Sequence, residues 1–449
     1  MNKDVVDAGE LQVVAERFLS LLQPDWVNSL QVHSDTAVYT PLVTVTLMIL
    51  QRLRGNASLE QAVAEGLGMG ILPCLSQGGE RTMSSNSGAF SRARARLEVE
   101  VAEQVCDRVF ESLVAATPPS FAGRRVFSVD GTTFTLSSEE ALRTVYPPAS
   151  NQHGESPWPI MLAAVAHELS SGCAMRPEIG AMYGPERISE IDLSIRLLPR
   201  IPAESIVMAD RDFGIFYFTH AVHTAGLQLV SRLTEKRFRA LQRSAQKIAE
   251  GRWALVWKPS RWDRKHHPDL PADASLSVHL HEIDVLDAEK KPMKLWLVTT
   301  LTEVTADCQA WSELYRGRWR VENDIRDVKI ALQMEDLRGR SDPMLRKELA
   351  LGMAAYNLVV QVRRLAAKAA NVEPRRLSFK GTWSLVLALL LTPNNWSLEE
   401  YSRRFEVLLR AVAQRKLPNR PNRHYSRAQL TWALKYPKRP PRRKEKKGV

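Results

Sequence analysis

The period of the hydrophobic positions changes along the chain. Val13, Val14, Phe18, Leu19 and Leu22, and later Val43, Val45, Leu47, Leu50 and Leu53, recur at helical spacing, with Pro24 and Pro41 as punctuation. A Gly/Ser-rich stretch over residues 76–87 separates them from a further predicted helix, residues 89–115. That helix opens with Arg92, Arg94 and Arg96 and continues through Leu97, Val101, Val105, Val109, Phe110 and Leu113. Pro118 and Pro119 close the region. From residue 124 the pattern turns to strands. Residues 124–136 are rich in β-branched and aromatic side chains around Asp130 and Gly131, and residues 159–168 and 173–178 predict a strand pair about Ser170, Ser171 and Gly172. An amphipathic helix over 188–198, a strand over 205–209, a helix over 213–225 and a strand over 227–233 follow, which is the order of a mixed α/β domain.

Residues 235–310 break this rhythm. Alternating stretches at 253–257, 275–286 and 295–301, interrupted by Pro259, Pro268, Pro271 and Pro292, predict a mostly β insertion. One long helix is predicted from about residue 310 to residue 337 and another over 344–368, then an apolar segment at 385–391 and a helix over 397–412. The expected organisation is a helical amino-terminal domain (1–120), the first part of an α/β core (121–234), the insertion (235–310) and the helix completing the core (311–370). A helical carboxy-terminal region (371–434) and a tail of prolines and bases (435–449), disordered unless bound, end the chain.

Composition narrows the class. With 449 residues, 44% hydrophobic and 25% charged, the chain is globular in make-up and long enough for two or three domains. The longest apolar runs, such as residues 385–391, reach seven residues, against the roughly 18 that a membrane-crossing helix needs. Residues 1–10 are polar and acidic and hold no signal-peptide core. Cys74, Cys106, Cys173 and Cys308 are too scattered for a disulfide framework or a zinc knuckle, so a reducing compartment, the cytoplasm, is expected. Charge matters once it is located. The net +12 is the balance of +14 in residues 401–449 and −2 in residues 1–400. A segment of that kind meets a polyanion, most often nucleic acid.

Two groups of residues carry candidate chemistry. Tyr315, Arg318, Glu322 and Lys329 stand three, four and seven positions apart. On one continuous helix they fall within an arc of about 60°, beside a buried stripe of Leu314, Val321, Ile325, Val328 and Leu332. Taken alone, this row is equally a solvated ladder of ion pairs. Asp130 and Asp210 each follow four residues of strand-like sequence, where a charge is costly unless it binds something. Carboxylates projecting from strand ends toward one edge suit magnesium, which prefers oxygen ligands and retains waters. Two such ions about 3.5–4 Å apart can activate a nucleophile and stabilise the leaving oxygen of a phosphodiester. The competing reading makes Asp130 and Asp210 turn or cap residues, as Asp212 is expected to be at the start of the next helix.

The stretch Tyr315-Arg316-Gly317-Arg318-Trp319-Arg320-Val321-Glu322, with Lys329, fits Y-x2-R-x3-E-x6-K without a departure. It resembles the signature of the insertion sequence 4 family of bacterial DDE transposases. Asp130-Gly131-Thr132-Thr133 and Ala209-Asp210-Arg211 look like the family's two aspartate motifs. Leu337-Arg338-Gly339-Arg340-Ser341 with Glu348, and Ala355-Tyr356-Asn357-Leu358, are similar to its segment after the glutamate. Phe90-Ser91-Arg92-Ala93-Arg94 resembles the end of its helical amino-terminal domain.

The resemblance covers nearly the whole chain. It implies a ribonuclease-H-like α/β core, interrupted by the mostly β insertion between its last strand and its catalytic helix. The metal-binding and catalytic triad would be Asp130, Asp210 and Glu322, with Mg2+ as the ion and Mn2+ as a possible substitute. Tyr315, Arg318 and Lys329 would hold DNA, and a flipped base would stack on a tryptophan of the insertion, with Trp296 as candidate and Trp253, Trp257 and Trp262 as rivals. The implied partners are double-stranded DNA, at terminal inverted repeats and at the target, and a second copy in a homodimeric synaptic complex. Arg92, Arg94 and Arg96 are candidates for contacts with the ends. Alternate residues sit about 200° apart on a helix, so at most two of them, such as Arg92 and Arg96, reach one groove.

The other functions fit less well. A DNA-binding relic without catalysis should lack a carboxylate, and none is missing. A simple metal-dependent DNA nuclease would carry the same site. A glycosidase with paired carboxylates has no use for the basic tail or the Tyr/Arg/Lys row. His266, His267, His279 and His281 are read as surface or strand residues rather than metal ligands.

Overall fold

The alternation around Asp130 produces strand β1 (Val126–Thr135), which lies inside one ten-stranded sheet among the described residues of the computed structural model. The structure describes residues 23–34, 36–68, 86–152, 154–286, 292–390 and 398–418. The helical repeat from Val13 to Leu22 and the basic tail lie outside them.

On one side β1 pairs antiparallel with the long β3 (Gly154–Glu168), which in turn carries β2 (Pro148–Asn151) and β4 (Glu178–Ala181). On the other side it pairs parallel with β5 (Ile206–Ala209), and β5 pairs parallel with β6 (Gln228–Arg232). Beyond β6 the same sheet continues, antiparallel throughout, in the order β10 (Pro292–Thr299), β9 (Leu276–Leu286), β8 (Arg252–Trp257) and β7 (Gln246–Ala249).

Helices precede the sheet: α1 (Pro24–Ser29), α2 (Pro41–Leu53), α3 (Leu59–Gly68), α4 (Gly88–Arg96) and α5 (Val99–Ala115). The single helix predicted over 89–115 is therefore two. The ammonium of Lys347 accounts for the break. It donates to the carbonyls of Arg94, Ala95 and Leu97, the groups a continuing helix would have satisfied itself. Further along come α6 (Glu140–Val145), α7 (Glu190–Leu197), α8 (Phe216–Thr224), α9 (Glu235–Gln242) and α10 (Arg261–His266). The predicted pair is present but broken: residues 173–175 meet the end of β3 through an antiparallel bridge between Ala174 and His167, and regular pairing with β3 resumes only at Glu178, in β4. The Asn357 side chain takes the N–H and the C=O of Ala174 that point away from β3, at 2.8 Å each.

The long helix predicted over 310–337 is also interrupted. It consists of α11 (Cys308–Arg316), a tight turn at Gly317 and Arg318, α12 (Trp319–Arg326) and a π-helical turn over Asp327–Ala331. At the tight turn the amides of Gly317 and Arg318 bond three residues back. A Cβ on residue 317 would stand 2.9 Å from the Leu169 side chain, so glycine lets the turn press on the end of β3. Helices α13 (Asp342–Ala369), α14 (Phe379–Leu390) and α15 (Leu398–Ala413) complete the described chain.

The two faces of the sheet are covered differently. Phe127, Val129, Val207 and Ala209 join a hydrophobic core that reaches through α7, α8, α5 and α13 to α2. Val126, Ile206, Met208 and Val230 face the other way and lie under Trp311, Leu314 and Tyr315 of α11. Helix α13 is buried along most of its length and binds the amino-terminal helices to the sheet.

Candidate functional site

Strands β1 and β5 run parallel with Ser128 opposite Met208. Two residues on, Asp130 and Asp210 continue the same rows of side chains on neighbouring strands, about 4.8 Å apart. Both rows begin under α11 and end in a carboxylate. Asp130 Oδ1 accepts the Gly131 amide at 2.9 Å. Asp210 Oδ1 accepts the Asp212 amide at 2.8 Å, so Asp210 shapes its turn as well as presenting a second oxygen. Asp212 does not cap the next helix: α8 has Ile215 at its N-cap, without a side-chain bond.

Arg318 joins the acids. Its Nη1 stands 3.6 Å from Asp130 Oδ2 and its Nη2 donates to Glu322 Oε1 at 3.2 Å. The guanidinium is almost buried, whereas the Glu322 side chain is 57% exposed. Burial raises the pKa of Asp130; the Gly131 amide and Arg318 oppose the rise, and the charges of Asp210 and Glu322 add to it.

Lys329 docks on the same strand. Its ammonium donates to the Thr133 carbonyl at 2.9 Å and lies 5.3 Å from the centre of the Phe134 ring. Tyr315 turns inward and is buried under the sheet. Burial pushes its phenol up to about 12, Arg318 and Arg232 pull it down, and Asp210 adds to the rise. The row drawn on one straight helix is thus split: Arg318 and Glu322 gather at Asp130, Lys329 docks further along β1 at Thr133, and Tyr315 lies buried beneath Arg318.

Other predicted residues lie apart. Trp296 on β10 is half-buried; its Nε1 donates to Glu282 at 3.0 Å and its ring packs near Phe238. Trp253 meets Phe238 edge-on, Trp257 is buried, and Trp262 is exposed with its ring stacked on His266. Arg92 and Arg96 are exposed on α4. Arg94 is buried and ion-paired with Glu348 at 2.9 Å, which removes it from the DNA-binding candidates.

Sequence reasoning missed Glu190, the first residue of α7. Its carboxyl group lies over Gly131: a Cβ on residue 131 would stand 2.7 Å from Glu190 Cγ and closer still to the carboxyl carbon. Burial and the charges of Asp130 and Asp210 push the acid up to about 7, against the pull of the Gly131 amide. The signal for it was a glycine inside a strand otherwise rich in β-branched and aromatic residues, which marks a close approach.

Among the described residues no three Asp, Glu, His or Cys side chains already stand at metal-binding geometry. The chemistry of the donors nonetheless fits a hard divalent cation. They are carboxylates, the oxygen ligands that such a cation prefers.

The family described as Transposase DDE domain matches residues 121–358. The transposase InsG for insertion sequence element IS4 of Escherichia coli (strain K12) is 24% identical over 361 residues, 78% of this chain and 78% of that protein. No helix of the described residues is long and apolar enough to cross a membrane. The family match takes in Asp130, Asp210 and Glu322 together with more than half of the sequence, and the chain belongs to the insertion sequence 4 family of DDE transposases, enzymes of DNA cleavage and strand transfer.

Proposed function

We propose that Asp130, Asp210 and Glu322 form the catalytic triad and hold Mg2+, for which Mn2+ can substitute. On this reading the protein binds the terminal inverted repeats of its element as double-stranded DNA and cleaves at the ends. It then joins the 3′-hydroxyl ends to target DNA. One observation carries the reading: parallel register sets Asp130 and Asp210 side by side, and a single arginine ties Asp130 to Glu322. The strand order β4-β3-β1-β5-β6, antiparallel as far as β1 and parallel from there, supports a ribonuclease-H-like core. The four strands beyond β6 are then its β insertion.

Divalent metal bound here supplies a Lewis acid for in-line displacement at phosphorus. The chain's own groups do the rest. Asp130, Asp210 and Glu322 would hold the cation, and the Arg318 guanidinium beside them would suit a DNA phosphate, which it can meet with two parallel N–H donors. The Lys329 ammonium puts a second positive charge on β1. Arg92 and Arg96 stand four positions apart on one face of α4 and suit a contact with the DNA end. Trp296 and the more open Trp262 are the residues for stacking a displaced base. Joining two ends calls for a homodimeric synaptic complex.

The test is cleavage of DNA carrying the gene's own flanking terminal repeats, with Mg2+, by wild type and by Glu322→Gln. We expect cuts at the repeat ends, reduced about a thousandfold in the variant. Retained cleavage by Glu322→Gln removes that residue from the site. Cutting without joining reduces the function to that of a metal-dependent nuclease.

A further inference from the structure

Glu190 reaches the aspartates from the face of the sheet opposite to α11. Val126, Ser128 and Asp130 alternate toward α11, whereas Phe127, Val129 and Gly131 alternate toward the face that α7 covers. Gly131 has no need of glycine for its backbone angles, because its φ is not positive. It is needed for room, since any side chain at this position would occupy the place of the Glu190 carboxyl group. The cradle therefore holds an acid against the strand that carries Asp130.

That acid has no ion-pair partner among the described residues, and Asp130, Asp210 and Asp212 surround it with charge of its own sign. Gathering four acids destabilises a fold unless a cation offsets the repulsion. Glu322 is bonded to Arg318, whereas the Glu190 carboxyl group rests on Gly131, the residue next to Asp130, near enough for the charges of Asp130 and Asp210 to act on it.

We infer that Glu190 is a fourth carboxylate of the metal site, binding the divalent cation, directly or through one of its waters, from the sheet face opposite to Glu322. The inference rests on Asp130 and Asp210 being metal ligands. Gly131 is part of the same device, because it gives the carboxylate its place.

Binding of Mn2+ to the full chain without DNA, followed by electron paramagnetic resonance, tests it. Wild type should bind, Asp130→Asn should lose binding, and Glu190→Gln should bind about tenfold more weakly or worse. In chelator the Tm of Glu190→Gln should equal or exceed that of wild type, since one like charge has gone. Glu190→Asp, which withdraws the carboxylate by one methylene, should bind with intermediate affinity and replaces the glutamine variant should that one not fold. Wild-type affinity in the Glu190 variants, with binding lost in Asp130→Asn, overturns the role of Glu190 and leaves the triad standing. Unchanged binding in every variant overturns the metal-site reading and this inference together. Absence of binding by wild type also overturns the inference, because the free protein then holds no such site.

Discussion

Helix α12 has two faces, and each carries an acid. Glu322 and Asp324 stand two positions apart, hence about 200° around the helix from one another. Asp324 is 2% exposed, and Arg375 grips its two oxygens at 2.8 and 2.7 Å while also donating to the carbonyls of Leu169 and Glu168. Glu322 is mostly exposed and has a single ion-pair partner among the described residues, Arg318 at 3.2 Å. One acid spends its lone pairs fastening the helix to the end of β3. The other keeps lone pairs free beside acids of its own charge. Burial with a forked arginine marks Asp324 as an acid that holds the fold, and exposure next to like charge is what the proposed role of Glu322 as a metal ligand requires.

The largest effect that would sharpen this contrast is on stability. Asp324→Ala leaves the Arg375 charge buried without its partner and should cost about 3–5 kcal/mol in chemical denaturation. Glu322→Gln should stay within about 0.5 kcal/mol of wild type, as an exposed site does. Equal losses in the two variants would erase the difference between the faces.

A smaller effect concerns pH. His167 lies close to the Asp324–Arg375 pair, buried, with neither ring nitrogen hydrogen-bonded and its ring edge-on to Tyr356. Burial pulls its pKa down to about 4, Asp324 opposes the fall, and Arg375 adds to it. The unfolded chain takes up this proton below about pH 6.5 and the folded chain only near pH 4, so stability should fall by up to about 3 kcal/mol as pH drops through that window. Above pH 6.5 this group contributes no slope. Urea titrations at pH 7 and pH 4.5 should show a shallower loss for His167→Phe, and an equal loss would take His167 out of the balance.

The smallest effect on stability should come from deleting residues 435–449, which changes no residue of α12. Binding to repeat DNA, measured by fluorescence anisotropy over a salt series, should become less salt-dependent, by about 0.9 of a log–log slope unit for each phosphate that the tail neutralises. An unchanged slope would deny the tail a role in binding.

Much of the candidate site was legible because its geometry rests on short-range rules. A carboxylate at the end of an apolar strand is conspicuous, and so is the spacing from Tyr315 to Lys329. Directions of side chains were less so. The wheel assumed one straight helix, but the tight turn at Gly317 and the π turn after Arg326 sent Tyr315 inward and Lys329 onto β1. Glu190 was hidden because its contact with Gly131 crosses from one element to another. Local pattern found the pairing of residues 173–178 with β3 but not its interruption after the Ala174–His167 bridge, nor the distant Asn357 side chain that takes the other edge of Ala174.

The fastening of α13 to the amino-terminal helices has a consequence for synthesis. Glu348 and Lys347 meet Arg94 and Leu97 across 254 and 250 positions. A growing chain emerges with Asp130 and Asp210 early, Glu322 much later, and the helix that seats α2, α4 and α5 later still. The apolar faces of those first helices must wait, uncovered or shielded by other molecules, until residues 342–369 have left the ribosome. Chains interrupted before residue 342 lack the helix that seats these elements, and so cannot bury their apolar faces in this way.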